Sequence, residues 1–288
     1  MALEFAERNN GVIVNADSAQ LYRDIPVLSA APTADELNRV EHRLYGVLDG
    51  AAPCSAADWA AMAKLEIADI HGSGRLPVLV GGTGLYLRTL LDGIAPIPAI
   101  DSEIREAVRS TSVKNNLSRL KHVDPEAAGR LNPGDTTRIA RALEVVLSTG
   151  KTLAEWQGRR EGGIADDVDL RPVILLPPRD WLYRRCDQRF DAMIENGAVE
   201  EVSRLLSQDL SRDLSIMRAI GVPEIAGYLK GSSSLQETAA AGKQATRRYA
   251  KRQYTWFSHQ PPSAWPRFTD ALEGDAIALA LALIKLED

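Results

Sequence analysis

Cysteine and histidine are scarce in this sequence, which has two cysteines and four histidines among its 288 residues. Cys54 and Cys186 are widely spaced, which argues against a disulfide framework and is typical of a reduced, cytosolic protein. None of the histidines stands at metal-ligand spacing from a cysteine or a carboxylate, so the sequence predicts no zinc site. We expect a cytoplasmic protein in which no metal ligands can be identified from this chain.

Long hydrophobic runs are also missing, although apolar residues make up 45% of the sequence. A membrane-spanning helix needs about 18 or more consecutive apolar residues. The most apolar stretch, residues 277–284, is shorter and is followed by Lys285, Glu287 and Asp288. The N-terminus has neither a basic start nor a cleavage pattern, so we expect no secretory signal and no membrane association.

An excess of positive charge is absent too, because the formal net charge is −5. This argues against a protein that binds nucleic acid over its whole surface. It leaves room for one basic face on an acidic body, since recognition depends on local charge. The length and the 25% of charged residues are ordinary for a soluble protein with one large or two smaller domains.

The hydrophobic pattern predicts an α/β fold with a parallel sheet. Residues 12–14 and 76–80 are short apolar segments, typical of buried parallel strands. Capping-box spacing occurs at Thr33 with Glu36 and at Ser55 with Asp58, the second of which opens a predicted helix between the strands, and another helix follows Gly84. Strands that alternate with helices in this way indicate a parallel sheet covered by helices.

A helical stretch then interrupts the pattern, because residues 101–157 show helical signals and no convincing strand. Within this stretch a helix is predicted from Thr136 to Ser148, with Gly150 as its C-terminal stop. A further buried strand is predicted at 173–176, and the rest of the chain is mostly helical. We therefore predict an α/β core formed by residues 1–100 and 165–288, with a helical insertion at 101–164. Further helices are predicted at 181–196, 198–206, 223–229 and 235–258.

Asp17 follows the first predicted strand and is the first candidate for chemistry. Open α/β sheets bind ligands at the carboxyl ends of their strands. A carboxylate held there can take a proton from an attacking group. The alternative interpretation is that Asp17 only caps the next turn, which aspartate does well.

The second candidate is the loop Gly81-Gly82-Thr83-Gly84, which joins a strand to a helix. Backbone N–H groups and a hydroxyl at a helix N-terminus form an anion site, and glycines allow a phosphate to approach the backbone. The alternative is a tight turn in which Thr83 is the N-cap.

The third candidate is a cationic stripe on the helix near the C-terminus. Its five cations share one broad face with no acidic residue between Glu237 and Asp270, and aromatic residues are interleaved with them, which suits phosphate contact and base stacking. The alternative is a solvated helix face above core aromatics. The cations are Lys243, Arg247, Arg248, Lys251 and Arg252.

Two further groups of arginines favour structural roles when taken alone. Arg138 and Arg141 are typical of a solvated helix face. In the helix that carries Arg189, internal ion pairs with Asp187 and Asp191 are predicted to account for most of the charges.

These features together resemble one family, the tRNA dimethylallyltransferases. The matching segments occur in family order and cover nearly the whole chain. They are NADSAQLYRDIPV (15–27), HRLYGVLD (42–49), CSAADW (54–59), LPVLVGGTGLYLRTLLDG (76–93), DSEIR (101–105), NPGDTTRIARALEV (132–145), YRRCDQRFDAMIENGAVEEV (183–202), IMRAIGVPEI (216–225) and KRQYTWF (251–257).

The resemblance implies transfer of a dimethylallyl group from its diphosphate to N6 of adenine 37, in tRNAs that read codons beginning with U. It implies a fold related to P-loop kinases, an inserted domain that grips the anticodon arm, Mg²⁺, and a monomer. Asp17 would act as general base, and Thr83, with Gly81 and Gly82, would contact the diphosphate. The implied tRNA contacts are Asp17, Ser18, Ala19, Gln20, Thr83, Arg105, Thr137, Arg138, Ile139, Ala140, Arg141, Arg218, Ala219, Ile220, Gly221, Val222, Pro223, Lys251, Arg252, Gln253, Tyr254, Thr255, Trp256, Phe257 and Ser258.

One departure from the family pattern concerns the phosphate-binding loop. The family opens with a strand and a Gly-Pro-Thr-x-Ser-Gly-Lys-Ser/Thr loop, and no G-x-x-x-x-G-K-[ST] motif occurs in these 288 residues. We therefore expect the chain as given to be inactive and poorly stable, because a missing central strand leaves backbone groups unpaired. The simplest hypothesis is that Met1 is an internal methionine chosen as the start, and a genuine truncation is the alternative.

Three other functions remain as alternatives. An adenylate dimethylallyltransferase would act on a free nucleotide, but the helical insertion and the cationic helix favour tRNA. A small-metabolite kinase fits less well, because Asp17 and the Gly-Gly-Thr-Gly loop stand in an otherwise family-specific order. A non-catalytic tRNA-binding protein would lack a phosphate loop upstream of Met1.

Overall fold

The computed structural model describes residues 1–284 and divides the chain into two compact units. The first contains Met1–Leu90 and the chain from Val168 onward, and the second contains Leu91–Asp167. The second unit is wider at both ends than the predicted insertion at 101–164. The last residues of the predicted core, 285–288, lie outside the described part.

The first unit contains a three-stranded parallel sheet in the order β2-β1-β3. The central strand β1 (Gly11–Asn15) pairs with β2 (His42–Arg43) and with β3 (Leu76–Val80), and its five residues are all buried. The strands β1 and β3 and their parallel pairing are as the sequence predicts. The sequence gives no sign of β2, because two residues are too few to show an alternating pattern.

A second sheet pairs β4 (Ile174–Leu175) in parallel with β5 (Arg267–Phe268). Within residues 1–284, β3 therefore has β1 as its only partner strand, and all five of its residues are half-buried. The predicted strand at 173–176 is confirmed at its two central residues, whereas β5 was not predicted.

The helices of this unit largely follow the predicted segments. Capping boxes open two of them as expected, one at Thr33 with Glu36 and one at Ser55 with Asp58. A 3₁₀ turn spans Ile216–Arg218. The helices are α1 (Ala2–Arg8), α2 (Ala34–Arg39), α3 (Ala56–Gly72), α4 (Gly84–Asp92), α10 (Arg179–Glu195), α11 (Ala198–Leu206), α12 (Val222–Leu229), α13 (Leu235–His259) and α14 (Ala276–Leu281).

Helices α10 and α13 pack closely because α13 has a glycine at their contact. A Cβ on Gly242 would lie 1.9 Å from the Phe190 ring, so only glycine permits this approach. Phe190 belongs to a buried cluster that also contains Leu205, Ile216 and Ile225, and this cluster anchors α11, α12 and the 3₁₀ turn.

The second unit is helical, as the sequence predicts. Its core includes Val108, Leu120, Ile139 and Leu143, which are fully buried. Gly150 ends the longest helix in the left-handed conformation (φ 70°), which confirms the predicted C-terminal stop. The helices are α5 (Ser102–Ser110), α6 (Val113–Val123), α7 (Pro125–Arg130), α8 (Thr136–Thr149) and α9 (Leu153–Gln157).

Among residues 1–284, no helix has both the length and the apolar character that a bilayer crossing requires.

Candidate active site and RNA-binding face

The turn after β1 is fixed by a buried asparagine. Asn15 is 0% exposed, and its Nδ2 donates to the carbonyl oxygens of Asp17 and Leu44, each at 2.9 Å. In return, the backbone N–H of Asp17 donates to Asn15 Oδ1 at 2.8 Å. Asp17 Oδ1 accepts the backbone N–H of Ala19 at 2.9 Å, so the predicted turn-capping bond is present. The carboxylate is thereby held at the carboxyl end of the central strand.

The Gly-rich loop lies beside this turn, as the order of the strands requires. The Thr83 N–H donates to the Ala16 carbonyl oxygen at 3.2 Å, and Thr83 Oγ1 accepts the backbone N–H of Ser18 at 3.1 Å. Thr83 stands immediately before α4, but its hydroxyl bonds across to the other loop. The simple N-cap interpretation is therefore incomplete, since this hydroxyl joins the two candidate loops.

Close contacts on two sides explain the glycines of this loop. A Cβ on Gly81 would lie 2.2 Å from the Ala16 backbone. On the α13 side, a Cβ on Gly82 would lie 2.0 Å from Gln253 Nε2, and a Cβ on Gly84 would lie 2.4 Å from the Trp256 ring. The loop is thus enclosed between β1 and α13, which fixes its backbone.

Burial dominates the electrostatics around Asp17. Burial raises the pKa of the Asp17 carboxyl, while the hydrogen bond from Ala19 and the positive charge of Arg189 act in the opposite direction. Burial and the negative charge of Asp17 together raise the pKa of Tyr45 to about 12. Asp17 is therefore a stronger base than an ordinary surface carboxylate.

The cationic stripe of α13 is divided into two sets. Lys243 Nζ lies 2.6 Å from Asp191 Oδ1, and Arg247 Nη1 lies 2.5 Å from Asp187 Oδ1. The prediction that these aspartates pair within their own helix is wrong, because they face α13 instead. Two of the five cations therefore form structural ion pairs that join α13 to α10.

The other three cations, Arg248, Lys251 and Arg252, are exposed. Arg248 and Arg252 line a cavity of about 260 Å³ together with Arg218, Pro223 and Glu224. The predicted 218–223 stretch therefore lies next to the exposed side of α13. We call it the arginine cavity.

The floor of the 218–223 stretch depends on a glycine and a buried carboxylate. Gly221 has φ +97°, and a Cβ there would lie 2.5 Å from Leu28. Glu201, which is 1% exposed, accepts the backbone N–H groups of Val27 at 2.8 Å and Leu28 at 2.9 Å. Gln20 Nε2 donates to the carbonyl of Ala30 at 2.8 Å, so the same turn also contacts the Asp17–Gln20 segment.

The predicted RNA contacts differ in accessibility. Arg105, Thr137 and Arg138 are exposed, whereas Ile139 lies fully inside the helical core and Ala140 is 8% exposed. In the 218–223 stretch Arg218 and Pro223 are exposed, Ala219 and Ile220 are half-buried, and Gly221 and Val222 are buried. These RNA contacts stay predictions. Only the exposed residues among them could contact RNA through their side chains.

The final predicted segment also faces two ways. Lys251, Arg252 and Thr255 are exposed, and the others are half-buried. Inward hydrogen bonds hold two of these, since Gln253 Nε2 donates to the Gly82 carbonyl oxygen at 3.0 Å and the Tyr254 hydroxyl to the Leu176 carbonyl oxygen at 3.5 Å. The half-buried members are Gln253, Tyr254, Trp256, Phe257 and Ser258.

The structure adds residues that the motifs do not single out. Asn15 and Glu201 lie within segments that carry the family resemblance, Arg189 was considered only as one of the charges of its helix, and Tyr249 is one of the aromatic residues interleaved with the cations of α13. The spacing of Tyr249, Gln253 and Trp256 at i, i+4 and i+7 is a signal for one helix face.

The part of the chain spanning 1–284 contains no group of three or more His, Cys, Asp or Glu side chains suited to a metal ion. Asp17 supplies the carboxylate of the two loops, and Ser18 and Thr83 supply hydroxyls. Mg²⁺ is usually bound through one or two carboxylates together with substrate phosphates and waters, so these side chains suit it without defining a complete site.

Comparison with known proteins identifies the family. The sequence model of the family described as IPP transferase matches residues 20–260. A tRNA dimethylallyltransferase from Sphingopyxis alaskensis is 58% identical over 93% of this chain and 88% of its own length. One from Novosphingobium aromaticivorans is 56% identical over 95% of this chain and 98% of its own.

Solved structures give the same result. The tRNA isopentenylpyrophosphate transferase of Bacillus halodurans has a TM-score of 0.69 at 31% identity, and covers 98% of this chain and 90% of its own. A eukaryotic dimethylallyltransferase acting on tRNA has a TM-score of 0.75 at 26% identity, covering 88% of this chain and 65% of its own. With the family match across most of its length, this chain belongs to the IPP transferase family.

Proposed function

We propose that this protein is a tRNA dimethylallyltransferase, which transfers a dimethylallyl group from dimethylallyl diphosphate to N6 of adenine 37 in tRNAs that read codons beginning with U. The observation that carries the proposal is the bond between the Ser18 N–H and Thr83 Oγ1. This bond joins the turn that carries the Asp17 carboxylate to the Gly-rich loop, which supports a single site formed by both. The adenine that accepts the group and the dimethylallyl diphosphate that donates it could then bind side by side.

Asp17 is the proposed general base. The adenine amine is a weak nucleophile, because its lone pair is delocalised into the ring. As the amine nitrogen bonds to C1 of the dimethylallyl group, the C1–O bond breaks and the electron pair leaves with the diphosphate. Asp17 takes the amine proton, and its raised pKa favours that transfer.

The Gly81–Thr83 segment is the proposed diphosphate contact. The segment stands at the start of α4, and a helix N-terminus favours an anion. The N–H groups of Thr83 and Gly84 already donate to the carbonyl oxygens of Ala16 and Gly82, so the contact is assigned to the N–H groups of Gly81 and Gly82 and to the Thr83 hydroxyl. We also propose Mg²⁺ as a cofactor, on the chemistry of the diphosphate leaving group, whose charge it would neutralise when bound. No residue is assigned to it, since the described residues contain no group of three or more His, Cys, Asp or Glu side chains suited to a metal ion.

The anticodon arm is the proposed RNA partner. The arginine cavity presents Arg218, Arg248 and Arg252, and the helical unit presents Arg105 and Arg138 on its surface. Guanidinium groups of this kind bind phosphates, and the target adenine must leave its stack to reach a half-buried carboxylate. We further propose that the protein acts in the cytoplasm, where its free cysteines stay reduced, and as a monomer.

The test is transfer of a labelled dimethylallyl group to an anticodon stem-loop. It compares this chain with a form extended upstream in frame to include any phosphate-binding loop, and with Asp17→Ala in the active form. Transfer by the active form and its loss in Asp17→Ala are expected. Transfer to free AMP in preference to the stem-loop, or binding of RNA without transfer by both forms, would replace the proposal by one of its alternatives.

A further inference from the structure

The Asn15 side chain uses all of its hydrogen-bonding groups on the turn that follows β1. An amide side chain carries two N–H donors and one acceptor oxygen. In Asn15, Nδ2 donates to the carbonyl oxygens of Asp17 and Leu44, and Oδ1 accepts the N–H of Asp17. Neither partner belongs to a strand, although Asn15 itself is the last residue of β1 and is fully buried. This side chain therefore orders the turn and not the sheet.

Both peptide groups that flank Asp17 are held by this one amide. The bond from the Asp17 N–H restrains the peptide group before the residue, and the bond to its carbonyl oxygen restrains the one after it. These two groups define φ and ψ, the two soft backbone dihedrals that set the direction of the side chain. With the backbone restrained, the N–H of Ala19 can hold the carboxylate itself, through Oδ1 at 2.9 Å.

The remaining bonds of Asn15 extend this support to β2 and α3. The pairing of β1 with β2 stops just before Leu44, which has φ 63°, a conformation that bulky residues rarely adopt. The Asn15 amide binds the Leu44 carbonyl oxygen, and the buried Trp59 indole N–H donates to the Asn15 carbonyl oxygen, each at 2.9 Å. The turn that carries Asp17 is thus joined to the end of β2 and to α3 as well as to β1.

We propose that Asn15 is a positioning residue for Asp17, which fixes the direction of the carboxylate by holding the peptide groups on both of its sides and tying them to the end of β2. This inference rests on the proposed function, because the role of Asp17 as general base is taken from it. Asn15 lies outside the residues to which catalysis or RNA contact is assigned by resemblance, and its buried side chain acts through Asp17. A base that is held before the substrate binds need not be oriented during the reaction, so the effect of Asn15 should fall on kcat.

The first test compares Asn15→Ala with Asn15→Ser, in the form extended upstream to include any phosphate-binding loop. The alanine removes every bond of the amide, and we expect it to lower kcat for dimethylallyl transfer by about tenfold to thirtyfold. A serine hydroxyl can still accept the Asp17 N–H, so the loss in Asn15→Ser should be only about threefold to fivefold. Alanine and serine differ little in size, so the difference between them reports the hydrogen bond.

The KM values for dimethylallyl diphosphate and for the stem-loop should change by less than about twofold in both variants. Equal losses in Asn15→Ala and Asn15→Ser, no loss in either, or losses that appear in KM instead of kcat would overturn the inference.

Asn116→Ala is the matched control, because Asn116 is a second buried asparagine that binds backbone carbonyls. Its Nδ2 donates to the carbonyl oxygens of Val108 at 2.7 Å and Thr111 at 3.2 Å, and the residue is 2% exposed. Its removal should lower the melting temperature, as Asn15→Ala does, but leave kcat at saturating stem-loop unchanged. A kcat that falls equally in the two variants would show a general loss of stability and overturn the inference.

Hydrogen exchange tests the positioning without any catalysis. The Ala19 N–H reports on the Asp17 carboxylate, because it donates to Oδ1. NMR of the chain as given and of the extended form should show this amide exchanging at least about tenfold faster in Asn15→Ala, and at its usual rate in Asn116→Ala. An Ala19 amide that stays protected without the Asn15 side chain would overturn the inference, whatever the transfer assay gives.

The inference and the proposed function can fail separately. Transfer with a normal kcat in Asn15→Ala overturns the inference alone. Faster exchange at Ala19 in a protein that never transfers the group to RNA overturns the proposed function alone, and leaves the hold of Asn15 on Asp17 in place. In the Asp17→Ala background, Asn15→Ala should lower the residual rate no further, whereas a multiplied loss would show that Asn15 acts independently of Asp17 and would overturn the inference.

Discussion

The two sides of α13 have opposite characters. Toward the Gly-rich loop, Gln253 leaves no room for a Cβ on Gly82, and Trp256 leaves none for a Cβ on Gly84. On the other side, exposed arginines line the arginine cavity. Because of this difference, substitutions on the side toward the Gly-rich loop should act through steric clashes and alter the rate of transfer. Changes on the other side should act through charge and alter RNA affinity and its dependence on salt.

The largest effect is expected where the loop meets backbone instead of a side chain. In Gly81→Ala the new Cβ would lie 2.2 Å from the Ala16 backbone, which must shift along with Asp17. Displacement of a reacting group by about 1 Å can lower a rate by about 10²-fold, and we expect a loss of kcat/KM of that size.

Gly129→Ala is the control for this change. Nothing lies within 4 Å of the added Cβ in α7, and alanine is the better helix former there. Activity should be unchanged and unfolding slightly less favourable. Normal kinetics in Gly81→Ala would show that the loop is not sterically fixed.

The next effect concerns the support beneath the 218–223 stretch. Glu201→Gln leaves an amide N–H facing one of the two backbone donors, Val27 or Leu28, that the carboxylate now accepts. Loss of such a buried bond costs about 1–3 kcal/mol in the free energy of unfolding. Urea titration measures it, and a shift below about 0.5 kcal/mol would contradict the assigned role.

The same residue makes a pH prediction. Burial raises the pKa of Glu201 above its usual value of 4.5, so the folded protein binds this proton more tightly than the unfolded chain. Stability from this group is therefore greatest below pH about 4.5 and falls as pH rises through the raised pKa. The free energy of unfolding of the unchanged protein should therefore approach that of Glu201→Gln as the pH rises from about 4.5 through the raised pKa of Glu201.

A smaller effect is expected on the exposed side. Replacing Arg248 and Arg252 by alanine should weaken stem-loop binding by about tenfold and reduce the slope of log affinity against log salt by about 1 for each lost phosphate contact. Lys243→Ala is the matched control, since Lys243 already forms an ion pair with Asp191. If Lys243→Ala weakens RNA binding as much as the arginine changes do, the division of the stripe is wrong.

The smallest effect is a displacement of the pH profile. The Arg189 charge lowers the pKa of Asp17, so Arg189→Ala should raise that pKa and move the acid limb of kcat/KM to higher pH. Arg184→Ala, an exposed change on the same helix, is the control. A limb that moves to lower pH in Arg189→Ala would exclude Asp17 as the group that titrates.

The sequence predicted the elements whose signals are local. Strands β1 and β3 are apolar runs, the capping boxes at Thr33 and Ser55 are spacing patterns, and Gly150 is a helix stop. The two loops could be placed together because parallel strands end at one edge of a sheet. Resemblance supplied the names of most site residues.

Features that depend on distant partners could not be predicted. The sequence pattern predicted that Asp187 and Asp191 form ion pairs within α10. They pair instead with Arg247 and Lys243, because α10 packs on α13. The strand β5 forms only because β4 lies beside it. The bond between Gln253 and Gly82 joins residues that are 171 positions apart in the sequence, so no local pattern could predict it.

The contact between Gly84 and Trp256 links two positions in the evolution of the fold. A side chain at position 84 would enter the volume of the indole ring, at 2.4 Å from its atoms. A relative with alanine or serine at 84 is therefore expected to carry a smaller residue than tryptophan at 256. These two positions should vary together, and a chimera that exchanges α13 between two such relatives should lose activity until position 84 is exchanged with it.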